Sequence, residues 1–234
     1  FSFFATAGVV ARLGAKPVFV DICPKTFNAD DQTIAEGLSA RTKAVMPVYL
    51  FGQMTRVSPV HFRECNIPVI EDAAQSLGAR TGHSGLAQAH AFAATSFFPT
   101  KNLGGLGDGG AVITRDTEMA QRLRTLRAHG AKTKYTHDWV GGNFRLDAIQ
   151  AAFLSVKLKY LEKQIESRRA LAHQYDDLFS QAGLIGTGDL QTPFCASESH
   201  HTYNQYVLRC SDRDGLKSYL AKSNVASMIY YPSP

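Results

Sequence analysis

The sequence predicts an α/β fold of three layers, with helices on both faces of a mostly parallel, mixed sheet. Three observations predict it. Five short runs are apolar almost without interruption: KPVFVDI (16–22), AVMPVYLFG (44–52), IPVIEDAAQ (67–75), AFAATSFF (91–98) and GGAVITRD (109–116). Continuous apolarity, as opposed to alternation, marks strands covered on both faces. Several of the intervening stretches carry helical spacing, which places helices over the sheet. Two of the runs lead into groups that carry chemistry, Asp72 after IPVIE and Lys101 after AATSFF. Strands of an open parallel sheet present such groups at their carboxyl ends.

Taken in order, KPVFVDI is rich in β-branched residues and reads as a buried strand. DQTIAEGLSA (31–40) reads as a modest helix, and AVMPVYLFG as the second strand. A weakly patterned segment precedes the third strand, IPVIEDAAQ. The fourth and fifth runs allow an antiparallel edge pair, since mixed sheets are common. TEMAQRLRTLRAHG (117–130) places Met119, Leu123 and Leu126 at helical spacing, with a basic last turn and Gly130 as the stop. A long helix is expected from Leu146, kinked and running to about Phe179, with Ile149, Ala152, Phe153, Val156 and Tyr160 on one face. The remainder reads as strand, helix (211–223) and strand, α+β in character.

Composition excludes several classes. The chain has 234 residues, 44% hydrophobic and 19% charged, with no repeat or low-complexity tract, which is globular composition. No apolar run reaches the ~20 residues that cross a bilayer. The opening FSFFATAGVVARLGA has neither a charged nor an apolar leader region, so no signal peptide is expected. The missing initial Met gives the reading of a piece from within a longer chain. A net charge of +5 favours a small anionic ligand and does not by itself indicate nucleic acid. KLKYLEKQIESRR (157–169) is expected to be a solvated helix face. Cys23, Cys65, Cys195 and Cys210 form no CxxC and read as reduced thiols of a cytoplasmic protein without a metal site.

The chemistry concentrates around Asp72 and Lys101, 29 residues apart, about one strand–helix–strand unit. A carboxylate and an amine at neighbouring strand ends suit a site where one steadies a cation and the other does covalent work. Spacing alone leaves a plain surface ion pair equally open. Five glycines follow Lys101. GLGDGG (105–110) has the form GxGxxG, but a strand pattern follows it where a dinucleotide site needs a helix. The glycines are instead expected to turn the backbone and admit a flat ligand. His137, His200 and His201 read as polar groups of loops or strands.

Three segments, EDAAQSLGA (71–79), SFFPTKNLGGLGDGGAV (96–112) and GGNFRLDAIQAAFLSVKL (141–158), resemble the signatures of the pyridoxal-phosphate-dependent sugar aminotransferases of the DegT/DnrJ/StrS type. FATAGVVARLGAKPVFVDI, HTYNQYVLR and IYYPSP agree. The resemblance implies the fold type I large domain over residues 1–150, incomplete at its start, and a connecting helix with part of a small domain over 151–234. It implies pyridoxal 5'-phosphate as cofactor. Lys101 matches the lysine that joins it as a Schiff base, and Asp72 the carboxylate on the ring nitrogen. Gln75 matches the residue beside the ring hydroxyl, Ser96 a phosphate-holding hydroxyl, and Phe3 the ring stacked over the pyridine. Asn143 matches a residue reaching the cofactor phosphate of a neighbouring subunit, hence a homodimer with shared sites.

The implied activity is transamination of a nucleotide-linked keto sugar with glutamate as donor, in amino-sugar or polysaccharide synthesis, with no nucleic acid or membrane partner. The alternatives are a sugar dehydratase of the same fold, which carries His where Lys101 stands, and a non-catalytic regulator or scaffold. Family members are longer at both ends. Upstream of Phe3 they carry a helix whose N-terminus supplies much of the phosphate site. The stretch between Gln53 and Ile67 is shorter than theirs, and an irregular helix is expected there.

Overall fold

The computed structural model describes residues 1–55, 57–58, 62, 65–186 and 188–233. The irregular helix expected between Gln53 and Ile67 falls in part on residues 56, 59–61 and 63–64, outside the described residues.

The central sheet forms where the third, fourth and fifth apolar runs lie. β1 (Ile70–Asp72) runs parallel to β3 (Phe92–Ser96), and β3 pairs antiparallel with β4 (Gly110–Ile113). The fourth and fifth runs thus make the antiparallel pair that the sequence allowed. The second run lies along the other edge of β1, through bridges Val45–Val69 and Val48–Asp72. Pro47 has no N–H to donate, yet its carbonyl accepts from Asp72 N, and Tyr49 N returns a bond to Asp72 O, each at 2.9 Å. Tyr49, Ala73, Ala79, Ala87 and Ala93 form one buried cluster, while Ile34, Val57, Phe62 and Val69 form another.

The first run departs from expectation. Residues 16–22 form no strand, and Val18 and Phe19 are 65% and 78% exposed. Among the described residues no strand pairs with them, and an apolar run without a neighbour has nothing to make it a strand. Val20 packs inward, against the Ile34 cluster.

Helix α1 spans Ala5–Arg12, and α2 (Asp31–Gly37) starts at a capping box between Asp30 and Thr33. α2 stops three residues short of the predicted end. Asp116 caps α3 (Thr117–Leu126), on which Met119, Leu123 and Leu126 are half-buried. The long helix breaks as predicted, into α4 (Ala148–Leu158) and α5 (Leu161–Gln181). Its buried face differs. Leu154, Leu161 and Ile165 pack with Leu103, Leu77 and Phe97, whereas Ile149, Val156 and Tyr160 are exposed. α4 is apolar nearly all round, so periodicity could not select the face, and the glycine-rich loop did. The basic stretch 157–169 is likewise more than a solvated face. Lys157 Nζ donates to Gly104 O at 2.6 Å, and Arg168 donates to the carbonyls of Tyr203 and Asn204.

β2 (Arg80–Thr81) pairs with β8 (Ser199–His200), β5 (Ala131–Thr133) with β6 (Thr136–His137), and β7 (Leu190–Gln191) with β9 (Arg209–Cys210), all antiparallel. α6 (Arg213–Lys222) follows, capped by Asp212. The strand expected after it is absent among the described residues: Val225 and Met228 are exposed. After β8 the chain plunges inward. His201, Thr202, Tyr203 and Asn204 are buried. Thr202 bonds Gly52 O through its amide at 2.9 Å and accepts from Asn102 Nδ2 at 2.8 Å.

Candidate active site

Asp72 ends β1, and Ser96 ends the adjacent parallel strand β3. After β3 the chain turns through Pro99 and Thr100, with Lys101 N bonded to Phe98 O at 2.9 Å, and brings Lys101 back beside β1. Between them lies a cavity of about 230 Å³, lined among others by Phe3, Thr6, Asp72, Gln75, Lys101 and Tyr231. A dry cavity of ~150 Å³ admits benzene, so a substituted pyridine fits in this one.

Lys101 is half-buried, and burial lowers its amine below the usual lysine range. The nearby Asp72 charge opposes that shift. Asp72 Oδ2 accepts from Thr6 Oγ1 at 2.7 Å, and Oδ1 from Ala74 N at 3.2 Å. Gln75, only 6% exposed, is held at both ends of its amide. Its Oε1 accepts from Phe51 N at 2.6 Å, and its Nε2 donates to the Tyr231 hydroxyl at 3.2 Å. Phe3 is 63% exposed, with its ring 6.4 Å from that of Tyr231.

Four of the six residues chosen from sequence, Phe3, Asp72, Gln75 and Lys101, therefore share one cavity. Ser96 and Asn143 do not line it. The Ser96 hydroxyl accepts from Phe98 N at 3.2 Å, inside its own turn. Asn143 is exposed and accepts from Arg145 Nε at 2.8 Å. Two residues the sequence left unmarked join the site. Thr6 and Tyr231 lie in the family-like segments FATAGVVARLGAKPVFVDI and IYYPSP but were given no role there, because their contacts cross 66 and 156 residues of chain.

The five glycines after Lys101 are not part of this cavity's wall. A Cβ at Gly104 would strike Pro99 O, one at Gly110 would lie 2.7 Å from Thr95 O, and one at Gly109 would lie 2.9 Å from Leu146. The missing side chains let the loop fold against its own strand and α4.

Away from this cavity, Glu162, Glu166 and His200 gather ligand-type atoms within 4.8 Å of one another. Arg80 already pairs with Glu162, and Arg169 with Glu166.

An amine of lowered basicity and a carboxylate held by two donors thus line one cavity beside parallel strand ends. The model of the DegT/DnrJ/EryC1/StrS aminotransferase family matches residues 1–234, and the chain belongs to that family. It is 45% identical to the pleiotropic regulatory protein of Geobacillus stearothermophilus, covering all of this chain and 63% of that one. It is 41% identical to the UDP-2-acetamido-2-deoxy-3-oxo-D-glucuronate aminotransferase of Pseudomonas aeruginosa, covering all of this chain and 64% of that one. The crystal structure of S. venezuelae DesV in complex with a ketimine intermediate superimposes with a TM-score of 0.91 at 35% identity, over all of this chain and 62% of that one. NtdA of Bacillus subtilis, with bound cofactor PMP, gives 0.88 at 30%, over 99% of this chain and 53% of that one. The fold is that of the type I aminotransferases, and the chain spans less than two thirds of the length of these relatives.

Proposed function

We propose that this chain carries the cofactor site and reacting lysine of a pyridoxal-phosphate-dependent aminotransferase that aminates a nucleotide-linked keto sugar, with glutamate as donor. The observation that carries the reading is the placement of Lys101 and Asp72 on one cavity, with Gln75 and Phe3 beside them. The printed activities of the aminotransferase relatives support the substrate class. When bound, the cofactor supplies an aldehyde for an amine and a ring that takes up electrons from the carbon next to nitrogen.

The rest is done by side chains. Burial keeps a larger share of Lys101 as free amine than an ordinary lysine, with its pKa of about 10.4, offers at neutral pH. Nζ then takes and returns the proton at the substrate carbon. Asp72, a fixed acceptor, favours the protonated ring nitrogen. Gln75 orients the ring edge, and Phe3 covers its face. Ser96 and Asn143 belong to the proposal as phosphate contacts, Ser96 in its own subunit and Asn143 across a homodimer. Val140, Phe144 and Ile149, close to Asn143 in sequence and exposed, suit contact with such a second copy. The division at about residue 150 and a cytoplasmic setting, consistent with four free cysteines, complete the reading.

Purified protein mixed with pyridoxal phosphate is expected to show a visible absorbance band that Lys101→Ala abolishes. Transfer from glutamate to a panel of keto sugars, in the full-length protein, then identifies the acceptor. The relative with a regulatory name favours a second reading, a non-catalytic regulator. A wild-type spectrum indistinguishable from that of Lys101→Ala would select it.

A further inference from the structure

We propose that Thr6 is a positioning residue for Asp72, the donor that fixes how its carboxylate faces the cavity. The inference rests on the reading of Asp72 as partner of a protonated ring nitrogen.

Thr6 stands in the first turn of α1, half-buried, on the cavity wall. Its hydroxyl lies 2.7 Å from Asp72 Oδ2. An ionised carboxylate only accepts, so the proton of this bond belongs to Thr6. The Ser2 hydroxyl lies 3.0 Å from Thr6 Oγ1. Having committed its one proton to Asp72, Thr6 accepts there. The direction of the chain is therefore Ser2 to Thr6 to Asp72.

A hydroxyl that accepts one bond while donating another is polarised toward the carboxylate. The Ala74 amide holds the other oxygen at 3.2 Å. The terminal torsion of an aspartate is soft and roughly two-fold, and a single donor would leave the carboxylate free to swing about one oxygen. Two donors on different oxygens, one from α1 and one from the turn after β1, pin the plane. The remaining lone pairs stay available to a cation held in the cavity. Charge-assisted bonds of this kind are short and strong, and the Thr6 bond is the shorter of the two.

The test titrates pyridoxal phosphate into the full chain and its variants Thr6→Val, Thr6→Ser, Ser2→Ala and Asp72→Asn, following Kd and the pH dependence of the visible band. Valine keeps the shape of threonine and lacks the donor, while serine keeps the donor. Thr6→Val is expected to bind about tenfold more weakly, with the band titrating about half a pH unit away from wild type. Thr6→Ser is expected to stay within about twofold. Wild-type behaviour from Thr6→Val overturns the proposal, and so does Thr6→Ser as weak as Thr6→Val, which would make bulk the cause. If Thr6→Val does not fold, Ser2→Ala is read instead, with about threefold weaker binding expected and no change overturning the proposal. Asp72→Asn separates the two readings. A weakened Asp72→Asn beside an unaffected Thr6→Val sinks the inference alone, whereas an Asp72→Asn that binds and titrates like wild type removes the proposed role of Asp72 as well.

Discussion

Replacing Gly104 by alanine should distort the turn that presents Lys101. A Cβ there would collide with Pro99 O and lie 2.6 Å from the carbonyl carbon and 3.0 Å from Cα of the same residue. These are backbone atoms and cannot rotate aside. Gly104 does not have positive φ, so in open space the change would stabilise the fold by about 0.4–1 kcal/mol through the unfolded chain. Overpacking against a fixed backbone costs about 1–3 kcal/mol, so the net expectation is a loss of roughly 1–2 kcal/mol. For a chain of this size that is a fall in Tm of about 2–8 °C. The Gly104 carbonyl also anchors Lys157 at 2.6 Å, so relief of the clash disturbs that bond. Thermal unfolding by circular dichroism reads the stability, and the absorbance with pyridoxal phosphate reads the Lys101 geometry. Gly107→Ala is the control. Its Cβ would meet only the side-chain nitrogen of Gln150, at 3.1 Å, and a change under about 0.5 kcal/mol is expected. The reasoning fails if Gly104→Ala melts at or above wild type with an unaltered spectrum, or if Gly107→Ala costs as much.

Two further outcomes follow from buried groups. Ile165→Ala should cost about 2–5 kcal/mol, since Ile165 is 1% exposed and joins α5 to Leu103 and Leu154; urea unfolding showing a loss below about 1 kcal/mol would contradict that packing. His201 is buried, accepts from Tyr203 N at 3.0 Å, and has its pKa pushed down to about 3 by burial and by Arg169. Between that value and about 6.5 the unfolded chain binds a proton that the folded chain does not. Stability therefore falls as pH drops through this window, by at most about 1.4 kcal/mol per pH unit. His201→Asn should flatten the difference between unfolding curves at pH 7 and pH 5, and parallel behaviour of the two proteins would argue against it.

Much of this was legible where a local signal decides the structure. The spacing of Met119, Leu123 and Leu126 gave α3, though it ends at Leu126, short of the stop expected at Gly130, and Asp72 and Lys101 follow strands that the apolar runs announced. What escaped depends on distant partners. Lys16–Ile22 looks like a strand, yet strandness belongs to a pair. The buried face of α4 was set by the glycine-rich loop it meets, which its own all-round apolarity cannot report. The glycines were read as turning the backbone and admitting a flat ligand; at Gly104 and Gly110 the missing side chain leaves space for backbone. Thr6 is one threonine in ATAGVVAR, unremarkable until folding brings it to Asp72.

Asn102 stands next to Lys101 and is clasped by Thr202, one hundred residues downstream, and Thr202 in turn grips Gly52. A ribosome adding about 5–20 residues per second needs roughly 5–20 s to make the intervening chain. Until then Asn102 lacks its Thr202 clasp, and the neighbouring lysine is not yet set by it. The turn that carries Lys101 thus gains this contact only after a further hundred residues have been made, and contacts of such sequence separation are slow to close.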